Sequence, residues 1–448
     1  MTDVVVIGAG LAGLACATRL AASDADVMVL EARDRVGGRS EGGSLPDGTP
    51  VELGGQWLGP TQHRMRALVD ELGLRTFPTH VTGDAVYEFG GQRTRKRDGA
   101  APPLGALATA DVGSALLWLD RCARTIDPAQ PWQSPRAHEL DARTFADWIR
   151  RRPTPRGRMF WQVAARAVFS AEAAELSLLH VLQYVHSAGS WEQLLDTHGG
   201  AQQDRIAGGS HQVAERLAER LGEDVRLGSA VAAVEHVAGG VTVTTGGGER
   251  LSADRAVVAL PPTLAGRLAY EPALPAARDQ LTQRVPMGAV VKVHVQYRTP
   301  FWRADGLSGT ALSDGELVQV VFDNSPPDAS SGVLLAFVEG RDAVRWGARP
   351  TPELHAAVVR RLTALFGPRA AEPVAAVSRD WTAEIYTRGC YGGYLPPGVW
   401  TTYGHALRAP VGPLHWCSAE TATGWAGYLE GAVRAGEQTA DDVLTTLG

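Results

Sequence analysis

Cysteine is scarce, with four in 448 residues at positions 16, 122, 390 and 417. They form no CxxC pair and show no Cys/His spacing of the kind that holds zinc. A disulfide framework and a structural zinc module are thereby excluded, and a reducing compartment fits best. Long apolar runs are also missing. No window reaches the ~18 uninterrupted apolar residues of a membrane span, and the N-terminus runs into DVVVIGAG without a charged leader. The expectation is a cytoplasmic protein without a membrane anchor. Charge of one sign is not in excess either, since 43 basic against 49 acidic residues leave a net −6, which demands no nucleic-acid partner. Two basic clusters, Arg93, Arg95, Lys96 and Arg97, then Arg150, Arg151, Arg152, Arg156 and Arg158, are interleaved with Gly, Pro and Thr rather than aromatics. They are expected to be solvated loops. Internal repeats, low-complexity linkers, a Ser/His/Asp arrangement and a metal ligand set are all absent.

What is present begins with size. At 448 residues the chain exceeds what one hydrophobic core supports, so two large domains and a sizeable pocket are expected. The first forty residues then supply a complete βαβ unit. Val4 to Ile7 are four branched aliphatics in a row, the pattern of a parallel strand buried on both faces. Gly8, Gly10 and Gly13 give GxGxxG, LAGLACATRLAAS has helical apolar spacing, and DVMVL reads as a second strand closed by Glu31. Gly8 permits the tight turn, Gly10 lets the backbone approach a pyrophosphate, and Gly13 lets helix and strand pack closely. The helix start favours negative phosphate charge. Glu31 lies 18 residues beyond Gly13, where a carboxylate can accept hydrogen bonds from a ribose. This pattern alone does not separate NAD from FAD.

Later segments do. RDRVGGRS adds Gly37, Gly38 and Arg39 directly after the acid, and LGGQWLGPTQ follows with Gly55, Gln56 and Trp57. RIAGGSHQVAERLAERLG, VVALPPTL, PMGAVVKVHVQYRTPFW, GCYGGYLPPG and ETATGWAGYLEGAVRAGEQTA then occur in order to the end of the chain. This series resembles the flavin-containing amine oxidase family, and GCYGGYLPPG is similar to its monoamine oxidase branch. The resemblance implies an α/β fold: a Rossmann-type FAD-binding domain at 1–78, 205–281 and 384–448, interleaved with an α+β substrate domain at 79–204 and 282–383. Local patterns agree. VRLGSAVAAVEHV, AGG and VTVTT read as a hairpin, and PELHAAVVRRLTALFG at 352–367 reads as an amphipathic helix.

The same resemblance implies roles for individual residues. Tyr391 and Tyr428 match a pair of aromatic rings that flank the substrate path before the flavin. Lys292, alternating with apolar residues on a strand expected to be buried, matches a lysine that holds a water against flavin N5; burial of an ammonium is costly and points to a task. Cys390, directly before Tyr391, matches a cysteine that forms a thioether to the flavin 8α carbon. Relatives that bind FAD without a covalent bond leave a free packed thiol as the alternative. Arg39 is expected near the pyrophosphate, Val231 at the adenine through its backbone, and Glu420 near the ribityl chain. Gly8, Gly10, Gly13, Glu31, Gly38, Gly55, Gln56 and Trp57 complete the expected cofactor shell. Trp57, Tyr184 and Gln202 are expected to line the substrate pocket with the two tyrosines.

One segment departs from the family. Where AGTETA is usual before the last helix, this chain has CSAETA, with Cys417, Ser418 and Ala419. The activity implied is oxidation of a small-molecule amine, with the α hydrogen passing to FAD and dioxygen returning as hydrogen peroxide. A homodimer is common among similar enzymes. Two other readings stay open: oxidation of an amine or amide in a biosynthetic intermediate whose imine is captured by a carbon nucleophile, supported only by the CSAETA departure, and a flavin-binding partner protein without turnover.

Overall fold

The computed structural model describes residues 2–447. The strand Thr2–Ile7 lies at the centre of an eight-stranded sheet, parallel to both Val27–Leu30 and Arg250–Val258. Val4, Val5 and Val6 are fully buried, as a strand covered on both faces requires. The expected hairpin forms between Val231–Val237 and Gly240–Thr245 and joins this sheet through Arg250–Val258. The helix Leu11–Ala21 packs against the C-terminal helix Leu429–Leu447. Their approach depends on Gly436, where an added Cβ would overlap the carbonyl oxygen of Ala12.

A second sheet of seven strands runs in the order Ala375–Asp380, Val290–Tyr297, Gly332–Glu339, Val320–Asp323, Leu307–Ser313, Asp84–Phe89 and Gln92–Arg97. Val290–Tyr297 and Gly332–Glu339 are buried throughout and pair antiparallel, with Val290 opposite Glu339 and Lys292 opposite Phe337. Strand alternation divides their side chains. Val291, Val293 and Val295 pack with Leu354, Val358 and Leu362 of the expected amphipathic helix, observed at Thr351–Phe366. Lys292, Phe337 and Glu339 therefore face the other way, toward the first sheet.

The basic clusters correct one expectation. Gln92–Arg97 is not a loop but the exposed edge strand of the second sheet, paired with Asp84–Phe89 across Gly90 and Gly91, both at positive φ. Arg150 ends the helix Phe145–Arg150, and Arg156 and Arg158 stand in the first turn of Pro155–Phe169, where Pro155 has a preset φ. Arg152 pairs with the buried Asp111. No described helix is long and apolar enough to cross a membrane.

Candidate active site

A cavity of 610 Å³ lies between the two sheets and is continuous from the glycine loop to the aromatic residues of the second sheet. Gly8, Gly10, Glu31, Gly38 and Arg39 line one end. Gly8 holds φ +108°, and an added Cβ at Gly13 would overlap the Gly8 carbonyl oxygen, so Gly13 serves helix–strand packing and does not line the cavity. Nothing lies within 4 Å of a Cβ built at Gly10, which leaves its backbone open to a ligand. Glu31, 3% exposed, accepts from Ala9 N at 2.8 Å and from Arg33 N at 3.0 Å, which fixes its carboxylate beside the loop. A glycine cradle, a helix start and a buried acid at the next strand end are the parts a dinucleotide needs.

Arg39 and Glu420 meet each other. Arg39 donates to Glu420 Oε1 at 2.5 Å and Oε2 at 3.0 Å, and to the Tyr391 carbonyl at 3.0 Å; Glu420 also accepts from Gly393 N at 2.9 Å. Burial pushes the Glu420 carboxyl up, but the Arg39 guanidinium and the hydrogen bonds outweigh it and leave it below its ordinary range. Arg39 borders the cavity, whereas Glu420 and Val231 lie outside its lining. Arg39 and Glu420, expected from the sequence at the pyrophosphate and at the ribityl chain, form one ion pair that fastens the Tyr391 turn to the segment 37–39.

Lys292, one of two lysines in the chain, is 3% exposed. Its ammonium donates to the carbonyls of Glu52 and Gly54 and to Gln56 Oε1, each at 2.7 Å. Burial lowers its pKa to about 7, opposed by the nearby Glu52 carboxylate. Gln56 is held in turn by Asn324 at 2.8 Å. Trp57 stands over this group, 4.9 Å from Phe322 and with its ring centroid 5.9 Å from the ammonium.

The aromatic end gathers residues from distant segments. Tyr391 packs edge-on against Phe337 at 6.1 Å, and Tyr428 packs against Trp425 at 4.9 Å and Tyr184 at 5.9 Å. All three tyrosines line the cavity, and burial raises each phenol well above its usual pKa. Gln202 also borders it, with Nε2 donating to the Leu194 carbonyl. Cys390 is 5% exposed on the cavity wall, and burial pushes its thiol up to about 12. In the departing CSAETA segment, Ser418 and Ala419 reach the wall while Cys417 is fully buried among apolar side chains.

Glu339 was not anticipated from the sequence. It ends the strand Gly332–Glu339, lines the cavity and is 4% exposed. Its Oε1 accepts from the Tyr391 hydroxyl at 2.9 Å, while Oε2 has no partner among the described residues. The available signal was an acid closing the run GVLLAFV, which reads equally well as a strand entering solvent.

The family model for flavin containing amine oxidoreductases matches residues 11–444. AofH of Mycobacterium tuberculosis, by name a flavin-containing monoamine oxidase, is 41% identical over 99% of this chain and 97% of its own. A structure of putrescine oxidase bound to putrescine superposes with a TM-score of 0.94 at 37% identity, covering 99% of each chain. Cyclohexylamine oxidase from Brevibacterium oxydans superposes with a TM-score of 0.95 at 35% identity, covering 100% of this chain and 99% of that one.

Proposed function

The chain belongs to the flavin-containing amine oxidoreductases, and from that premise we propose how its cavity oxidises a small-molecule amine with FAD. The carrying observation is the continuity of one cavity from the glycine loop to Tyr391 and Tyr428. When bound, FAD supplies the acceptor for the α hydrogen and its electron pair, and dioxygen takes that pair on to hydrogen peroxide. The segments 1–78, 205–281 and 384–448 hold this cofactor, and the remainder shapes the substrate side.

Gly10 and Gly38 give the pyrophosphate backbone N–H groups beside a helix start, Gly8, whose own N–H donates to the Leu30 carbonyl, shapes the turn, and Glu31 takes the ribose hydroxyls. Tyr391 and Tyr428 border the amine with ring faces whose negative quadrupoles favour positive charge developing at the C–N bond. Trp57, Tyr184 and Gln202 complete the walls. The largely apolar lining excludes water, so that the electrostatics of the few polar groups act undiluted. Lys292 faces the flavin side of the cavity. To hold a water there, its ammonium must release one of three present acceptors; Gln56 is the one side chain among them, and turning its amide breaks its bond to Asn324.

Cys390 is proposed as the covalent anchor of the flavin. Thioether formation would replace the Cys390 S–H bond and one C–H bond of the 8α methyl by a C–S bond, with the two hydrogens and their electron pair passing to dioxygen. Acid precipitation tests this: yellow colour should stay with the wild-type pellet and move to the supernatant in Cys390→Ala. Colour in the wild-type supernatant would make Cys390 a packing residue. The activity itself is tested by adding simple amines without oxygen, which should bleach the yellow protein, and with oxygen, which should release peroxide. A yellow protein that no amine bleaches would overturn the reading.

A further inference from the structure

We propose that Glu339 is the base that takes the proton from the substrate ammonium before oxidation; this rests on the amine oxidase reading above. A simple alkylamine resembles the lysine side chain, with a pKa near ~10, so it reaches the enzyme almost wholly as ammonium at neutral pH. An ammonium has no lone pair with which to expel hydride from the α carbon. Some group at the aromatic end must remove the proton or the reaction waits for the rare neutral amine.

The candidates are few. No histidine borders the cavity among the described residues. The tyrosine phenols are raised by burial and cannot act as bases. Lys292 has its three donors engaged by protein oxygens. Asp98 and Asp196 also line the cavity, but beside Tyr87, whose phenol both raise, and Glu192 lines it as an exposed side chain next to Asp196. Glu339 is hydrogen-bonded to the reacting-end ring of Tyr391 through Oε1, and its unpartnered Oε2 is the acceptor left over.

The groups that face it set its behaviour. Tyr391 donates from the 389–393 turn, Ser170 Oγ lies 3.5 Å from Oε1, and Arg166 acts from the preceding helix with its charge shared by Glu172 at 3.0 Å. Lys292 stands diagonally across, opposite Phe337, on the same face of the sheet. Burial dominates and raises the Glu339 carboxyl to about 8, against the pull of Tyr391, Arg166 and Ser170. The group is a carboxylate above that pH and protonated below it, so the base is lost as pH falls. A base poised near the working pH is the efficient choice.

The balance is simple. One N–H bond of the ammonium breaks with its electron pair left on nitrogen, and the proton forms O–H on Glu339 Oε2. The C–H pair then departs as hydride to the flavin, and the nitrogen lone pair closes the C=N bond. Glu339 returns its proton to solvent after product leaves.

The test compares a strongly basic alkylamine with its weakly basic fluorinated counterpart, which arrives already neutral, by the limiting rate of anaerobic flavin bleaching against pH. In Glu339→Gln, bleaching by the strongly basic amine should slow about a hundredfold, with little change for the fluorinated amine. Equal slowing of both, or of neither, overturns the proposal. Should the variant lose its flavin, the wild type alone decides. A rise in rate near pH 8 with the alkylamine that disappears with the fluorinated amine supports Glu339, and a rise common to both overturns it. No bleaching by either amine, or by any other, overturns the amine oxidase reading itself.

Discussion

Replacing Glu420 with glutamine is expected to destabilise the protein by about 3–5 kcal/mol, the range for breaking one partner out of a buried ion pair. The Glu420 side chain is 3% exposed and holds both Nη atoms of Arg39 together with Gly393 N. A glutamine keeps one acceptor and turns an NH₂ toward the guanidinium, so a partly buried cation is left facing a donor. Arg39 cannot turn to water without giving up the Tyr391 carbonyl. Glu420→Gln should therefore also lower amine oxidation, because the turn that carries Tyr391 loses its anchor. Denaturant unfolding of wild type and variant at one flavin concentration measures the first effect. The pair Glu420→Leu with Arg39→Met should recover most of the stability, since apolar replacement of both partners leaves no orphaned charge. A loss below about 1 kcal/mol for Glu420→Gln would mean that the pair acts as a surface bridge. The folded carboxyl sits below its ordinary pKa, so the stabilisation is present above the unfolded carboxylate pKa and fades as pH falls through the folded value.

Lys292→Met should reduce turnover with dioxygen about a hundredfold, the scale on which one preorganised polar group in a dry site acts. Methionine fills similar volume but leaves the Glu52 and Gly54 carbonyls and Gln56 Oε1 without their donor, so some stability is lost as well. The yellow colour should remain, which separates a catalytic loss from a loss of cofactor. Stopped-flow measurement of bleaching and of reoxidation assigns the defect to one half of the cycle. Turnover within threefold of wild type would leave Lys292 as a structural brace between the sheets.

The βαβ unit was legible because each of its parts is local: the aliphatic run, the glycine spacing and the terminal acid sit within forty residues. Lys292 was legible for a related reason, a lone cation among branched aliphatics being conspicuous on a strand. The roles expected of Tyr391, Tyr428 and Cys390 rest on resemblance, since nothing in a tyrosine's neighbours says what its ring faces. Glu339 escaped notice because the partner that marks it, Tyr391, is 52 residues away in sequence. The edge strand at Gln92–Arg97 carried a signal that the basic residues obscured. Two glycines between two six-residue runs mark a tight hairpin, and charge on both faces is what an edge permits.

That edge has a bearing on assembly. Arg93, Arg95, Lys96 and Arg97 stand exposed along the free margin of the second sheet. A second copy adding there strand to strand would crowd like charges over a few ångströms, well inside the ~10 Å screening length at 0.1 M salt. At 1 M salt that length shrinks to ~3 Å, and the barrier shrinks with it. The margin is therefore closed to sheet extension in dilute buffer and loosened in brine, so a dimer that persists across both must be built on another face of the molecule.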